Sequence, residues 1–89
     1  MHTVLIVDDE YGIRDLLSEI LEDEGYRVFT AENAQAARLL VQEREFDLIL
    51  LDIMMPDLDG YEVIKHLKAD PVTQDIPVIF LTALHNPED

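Results

Sequence analysis

Apolar residues along the chain arrive in short blocks of two alternating kinds. Thr3 to Val7 (TVLIV) is a continuous apolar run closed by acids, whereas between Tyr11 and Glu24 the residues Ile13, Leu16, Leu17, Ile20 and Leu21 recur at the spacing of one helical face. The first block predicts a strand and the second a helix. Gly25 then stops the helix, Arg27 to Ala31 (RVFTA) predicts a second strand, and Asn33 stands at the N-cap position before a stripe of Ala34, Ala37, Leu40 and Val41. Phe46 to Leu51 predicts a third strand. Asp59 with Glu62 forms a capping-box pattern for a helix bearing Val63, Ile64 and Leu67, and Ile76 to Leu81, entered through Pro77, predicts a fourth strand. The order is β α β α β α β.

Strands alternating with helices require right-handed crossovers, and hence a parallel sheet covered on both faces, which suits unbroken apolar runs such as LILL and VIFL. A small doubly wound α/β domain is expected. Such sheets bind ligands beyond the carboxyl ends of their strands, where the strand order reverses. There the first strand ends in Asp8, Asp9 and Glu10, the third in Asp52 and the fourth in Thr82. With the order 2-1-3-4, the first and third strands would be neighbours, and Asp8, Asp9 and Asp52 would share one crevice. Like charges held so close must take up protons or a cation. Carboxylates with a backbone carbonyl and water suit Mg²⁺, whereas Zn²⁺ would want His or Cys, and none of His2, His66 or His85 falls among these acids. Singly, each residue has a plain explanation: an Asp after a strand forms a turn or caps a helix, and Asp9 could simply cap the first helix. The convergence is what points to function.

Composition narrows the choices. Eighty-nine residues, 48% of them apolar, make one small domain close to the size at which a single core suffices. The sequence has no cysteine, so it carries neither disulfides nor thiolate metal sites, and its start, MHTVLIVDDE, has neither a charged n-region nor an apolar run long enough for a signal peptide or membrane span. A cytoplasmic location is expected. Twenty acids against six Lys and Arg give a net charge of −14, which repels nucleic acid and anionic membranes and favours cations or basic partner surfaces. Most of those acids read as solvated surface. The loop after Asp52 does not fit a calcium-binding EF-hand, because with Asp57, Asp59 and Gly60 in register the end positions fall on Met55 and His66. No GxGxxG or GxxxxGK[ST] pattern is present for a nucleotide.

Taken together, VLIVDDE, LILLDIMMPDLDGYEV and PVIFLTA resemble the receiver domain of two-component response regulators, over Thr3 to about His85. That family is itself a standard illustration of the flavodoxin-like order, so the order 2-1-3-4 comes with the resemblance and is not a separate result. The resemblance implies that Asp52 accepts a phosphoryl group from a phosphohistidine on a sensor histidine kinase or phosphotransfer protein. It implies that Asp9, Asp52 and the backbone carbonyl of Met54 ligate Mg²⁺, that Asp8 acts mainly through water, and that the Thr82 hydroxyl donates to the attached phosphoryl group. Pro56 and Gly60 would shape the loop that brings the Met54 carbonyl inward. The chain would then be a kinase substrate and not a turnover enzyme. A phosphohydrolase working through an aspartyl phosphate is a distant reading, since such sites usually place a second acid two residues past the nucleophile, where this sequence has Met54.

A full receiver continues after the fourth strand with a helix, a strand and a last helix, roughly thirty further residues by ordinary element lengths. Residues 1–89 therefore read as a single partial receiver, with HNPED resembling the first turn of the next helix. The family's Lys after the fifth strand has no counterpart here. With that Lys absent and Mg²⁺ bound, a phosphorylated site would keep a charge of about −2. An open edge on the fourth strand and a bare sheet face would favour self-association through Phe46 to Leu51 and Val78 to Leu81. The alternative function is accordingly a fragment that associates but does not switch. Phosphate incorporation that depends on Asp52 separates the two.

Overall fold

A computed structural model describes residues 2–52, 60–71 and 73–80, with the backbone alone at 60–64. Its elements run β1 (Thr3–Val7), α1 (Tyr11–Asp23), β2 (Arg27–Ala31), α2 (Ala34–Glu43), β3 (Leu48–Leu51), α3 (Gly60–Ala69) and β4 (Val78–Phe80). The four strands form one parallel sheet in the order β2-β1-β3-β4, with Val7 beside both Ala31 and Leu51, and Leu51 beside Phe80. This is the flavodoxin-like doubly wound arrangement the sequence predicts.

Alternation along the strands divides the core between two faces. Leu5, Val7, Ala31, Ile49 and Leu51 point to the side covered by Ala37 and Val41 of α2 and Leu67 of α3, with Phe46 among them. Val4, Ile6 and Leu50 point to the opposite side, where Leu17 and Leu21 of α1 pack on them. Central β1 is therefore buried from both directions, which is why its sequence is apolar without interruption. Each such Leu, Ile or Val contributes roughly 1.5–3 kcal/mol of burial.

Helix α1 buries a narrower face than its periodicity predicts. Leu17 and Leu21 reach the sheet, but Leu16 and Ile20 remain 50% and 51% exposed. The helix end matches the sequence reading closely: Gly25 takes φ 93°, its N–H donates to Glu22 O at 3.0 Å, and Tyr26 N–H donates to Leu21 O at 3.0 Å. That pair of bonds is a Schellman cap, whose left-handed residue favours glycine. At the start of α2, Asn33 Oδ1 accepts from Ala36 N–H at 2.8 Å, as its position predicts.

Two strands are shorter than expected. Before β3, Asp47 exchanges bonds with Thr3, its N–H reaching Thr3 O at 2.8 Å and its carboxylate accepting from Thr3 N–H at 2.7 Å. The side chain thereby takes a donor that a longer ladder would need, while Phe46 turns inward to meet Phe29 edge-on at 5.8 Å. Before β4, Pro77 has no N–H to offer the ladder, though its carbonyl accepts from Ile49 N–H at 3.0 Å. Leu81 and the Asp59 cap lie outside the described residues.

Candidate functional site

The ladders on either side of β1 extend one residue past the strands. Asp8 N–H donates to Ala31 O at 3.1 Å, and Asp52 N–H donates to Val7 O at 2.9 Å. Each bond fixes the backbone of an acid at the carboxyl end of a central strand. Their side chains consequently start from adjacent rungs and turn toward the same space.

Asp9 joins them from the β1–α1 turn. One carboxylate oxygen from each of Asp8, Asp9 and Asp52 lies within 4.8 Å of the others, with Asp8 and Asp52 buried and Asp9 exposed. Asp8 is the most constrained. Its Oδ1 accepts from Glu10 N–H at 2.9 Å, while Oδ2 is buried without a hydrogen-bond donor. Burial raises the Asp8 pKa above its usual 3.8, the Glu10 N–H opposes that shift, and the negative charges of Asp52 and Asp9 add to it. Two arrangements relieve Oδ2: a proton shared with the neighbouring Asp52 carboxyl, or a cation in the crevice. An acidic oxygen set without nitrogen or sulfur suits a hard divalent ion.

Of the residues singled out in the sequence, Asp8, Asp9 and Asp52 are brought together, and Met54 and Thr82 lie outside the described residues. Asp9 is not the cap of α1, since Glu10 holds the N-cap position and no side chain caps that end. His2 sits 3.7 Å from Asp47 at the amino end of the sheet, and His66 is exposed on α3. A cleft of about 360 Å³ also lies at the amino end, lined by Arg44, Glu45, Asp47 and Asp75 among others, and so is remote from the acids. Sequence reasoning passed over Arg14, whose Nη1 donates to Asp8 O at 2.7 Å.

The profile of the response regulator receiver domain matches residues 4–89, and the chain is a member of that family. It is 49% identical over 81 residues to the phosphate regulon transcriptional regulatory protein PhoB of Pseudomonas aeruginosa, covering 91% of this chain and 35% of that protein. It is 45% identical over 80 residues to sporulation initiation phosphotransferase F of Bacillus subtilis, covering 90% of this chain and 63% of that one. Among solved structures, the N-terminal domain of a response regulator receiver protein from Methanoculleus marisnigri superposes with a TM-score of 0.87 at 43% identity, covering 99% of this chain and 72% of that one. Chemotaxis response regulator CheY4 of Vibrio cholerae superposes with a TM-score of 0.88 at 36% identity, with 99% and 73% covered. The chain thus spans only part of the length of these relatives.

Proposed function

We propose that the chain is the phosphoacceptor module of a two-component phosphorelay, with Asp52 receiving the phosphoryl group. The observation that carries this reading is the crevice itself, where three carboxylates converge and the buried Asp8 Oδ2 has no donor. Such a crevice favours a switch over an inert associating fragment, because a merely structural sheet end gains nothing from crowded negative charge.

In the proposed transfer, an Asp52 carboxylate oxygen forms a bond to phosphorus as the phosphorus–nitrogen bond to a phosphohistidine of the donor breaks, and the departing imidazole takes up a proton. Asp52 is suited to this because its backbone is held by Val7 O at 2.9 Å, so an incoming phosphorus meets a nucleophile already placed. Asp9 and Asp52 would hold Mg²⁺ directly and Asp8 through water. Bound there, the ion supplies charge neutralisation for the phosphoryl oxygens. The family resemblance adds the Met54 carbonyl as a further ligand and the Thr82 hydroxyl as a donor to the phosphoryl group.

The partner implied is a sensor histidine kinase or a phosphotransfer protein, and the chain serves as its substrate in the cytoplasm. Among the described residues, no helix is long and apolar enough to cross a membrane. The net charge of −14 argues against nucleic acid binding by these residues. Self-association is proposed through the α1 side of the sheet and the β4 edge, where Ile79 is 52% exposed.

The reading is tested by incubating wild type and Asp52→Asn with a small-molecule phosphodonor, with and without Mg²⁺, and weighing the intact chains. Wild type should gain one phosphate, labile to base and to hydroxylamine as an acyl phosphate is, only when Mg²⁺ is present, and Asp52→Asn should gain none. Unmodified wild type, or equal modification of the variant, would sink the proposal.

A further inference from the structure

The turn that carries two of the three acids is short and has no side-chain cap where it enters α1. Its restraint comes from the flanking elements. On the strand side, Asp8 N–H is bound to Ala31 O and the Asp8 carboxylate holds Glu10 N–H. The Asp8 carbonyl is taken from the helix side by Arg14, whose Nη1 donates to it at 2.7 Å across six residues. The same Arg14 donates its backbone N–H to Glu10 O at 3.1 Å, so one residue ties both ends of the turn. Arg14 is half-buried, and its guanidinium lies 5.7 Å from the centre of the Tyr11 ring, which limits the rotamers open to it.

We infer that Arg14 is a positioning residue for the acid crevice, clamping the Asp8 carbonyl so that the Asp8 and Asp9 carboxylates stay directed at Asp52, and thereby setting the affinity of the crevice for a divalent cation. The inference rests on the metal reading given above. It carries a sign of its own. A guanidinium near a cation site repels the cation, so if Arg14 acted only through its charge, removing it would tighten Mg²⁺ binding. If it acts by holding the turn, removing it weakens binding. A half-exposed, screened charge has a small effect, while loosening the partners that orient metal ligands costs about tenfold or more in metal affinity. The positioning effect should therefore win.

The experiment is a calorimetric Mg²⁺ titration of wild type, Arg14→Met and Arg14→Lys, with the Mg²⁺-free melting curve of each as a check of folding. Methionine keeps an apolar stem without donors. Lysine keeps the charge and a donor but loses the planar fork. Binding should weaken about tenfold in Arg14→Met and by an intermediate factor in Arg14→Lys. A purely structural role would lower the melting temperature and leave the dissociation constant of the folded protein unchanged. Either folded variant binding Mg²⁺ as tightly as wild type, or more tightly, overturns the inference. Wild type that binds no Mg²⁺ overturns the metal reading as well, which separates the two failures.

Discussion

Asp8 is held in a state it resists. Buried beside two other carboxylates, with one oxygen lacking a donor, it has a pKa raised above 3.8, and that shift makes it a stability switch. Between its unfolded and folded pKa values the native state binds the extra proton, so the favourable contribution is fully present below about pH 3.8 and is lost as pH rises through the folded value. At neutral pH without divalent ions, this carboxylate therefore destabilises the fold. Asp8→Asn should raise the Mg²⁺-free melting temperature at pH 7 by several degrees, taking roughly 4–8 °C for each kcal/mol relieved. Melting curves of the two proteins at pH 4 and pH 7 check the sign, because the gap should narrow at the lower pH. The three acids were legible in the sequence because strand ends can be read from where apolar runs stop. Arg14 was not legible: a bond from its side chain to a backbone carbonyl six residues earlier leaves no periodicity or motif behind.

At the scale of elements, the caps at Asn33 and Gly25 were readable and the starts of β3 and β4 were not. Asn33 and Gly25 act through a bond or a dihedral angle set within four or five residues, so residue type and position suffice to place them. Asn33→Ala should cost about 1 kcal/mol, with α2 amides near Ala36 losing hydrogen-exchange protection first. An unchanged denaturation midpoint would contradict that role for Asn33. The entry to β3, in contrast, depends on Asp47 finding Thr3 forty-four residues away, a long-range pairing that apolar content does not encode. Helix α1 shows the same limit. Its five apolar positions describe how wide a face could be buried, but only the packed fold shows that Leu16 and Ile20 stay half exposed.

Across the whole molecule, apolar surface and charge pull in opposite directions. Leu16, Ile20 and Ile79 invite association, while a net charge of −14 repels a second copy. Added salt screens the repulsion and leaves the apolar attraction in place. Sedimentation equilibrium should thus show weak self-association that strengthens from low to moderate ionic strength. A monomer that persists at high concentration and in high salt would remove association from the proposed function.

The two buried acids of the crevice borrow their backbone rigidity from the central strand, since Asp8 N–H and Asp52 N–H are the last rungs of its two ladders. An amide in that position exchanges with deuterated water only when the ladder itself opens. The crevice therefore has no cheap way to come apart on the strand side, and Asp8 and Asp52 should be among the slowest amides of the chain to lose their protons. Asp9, exposed on the turn and outside both ladders, should be among the faster. The site would then join two acids that report the lifetime of the sheet to a third, on the turn tied by Arg14, that faces solvent.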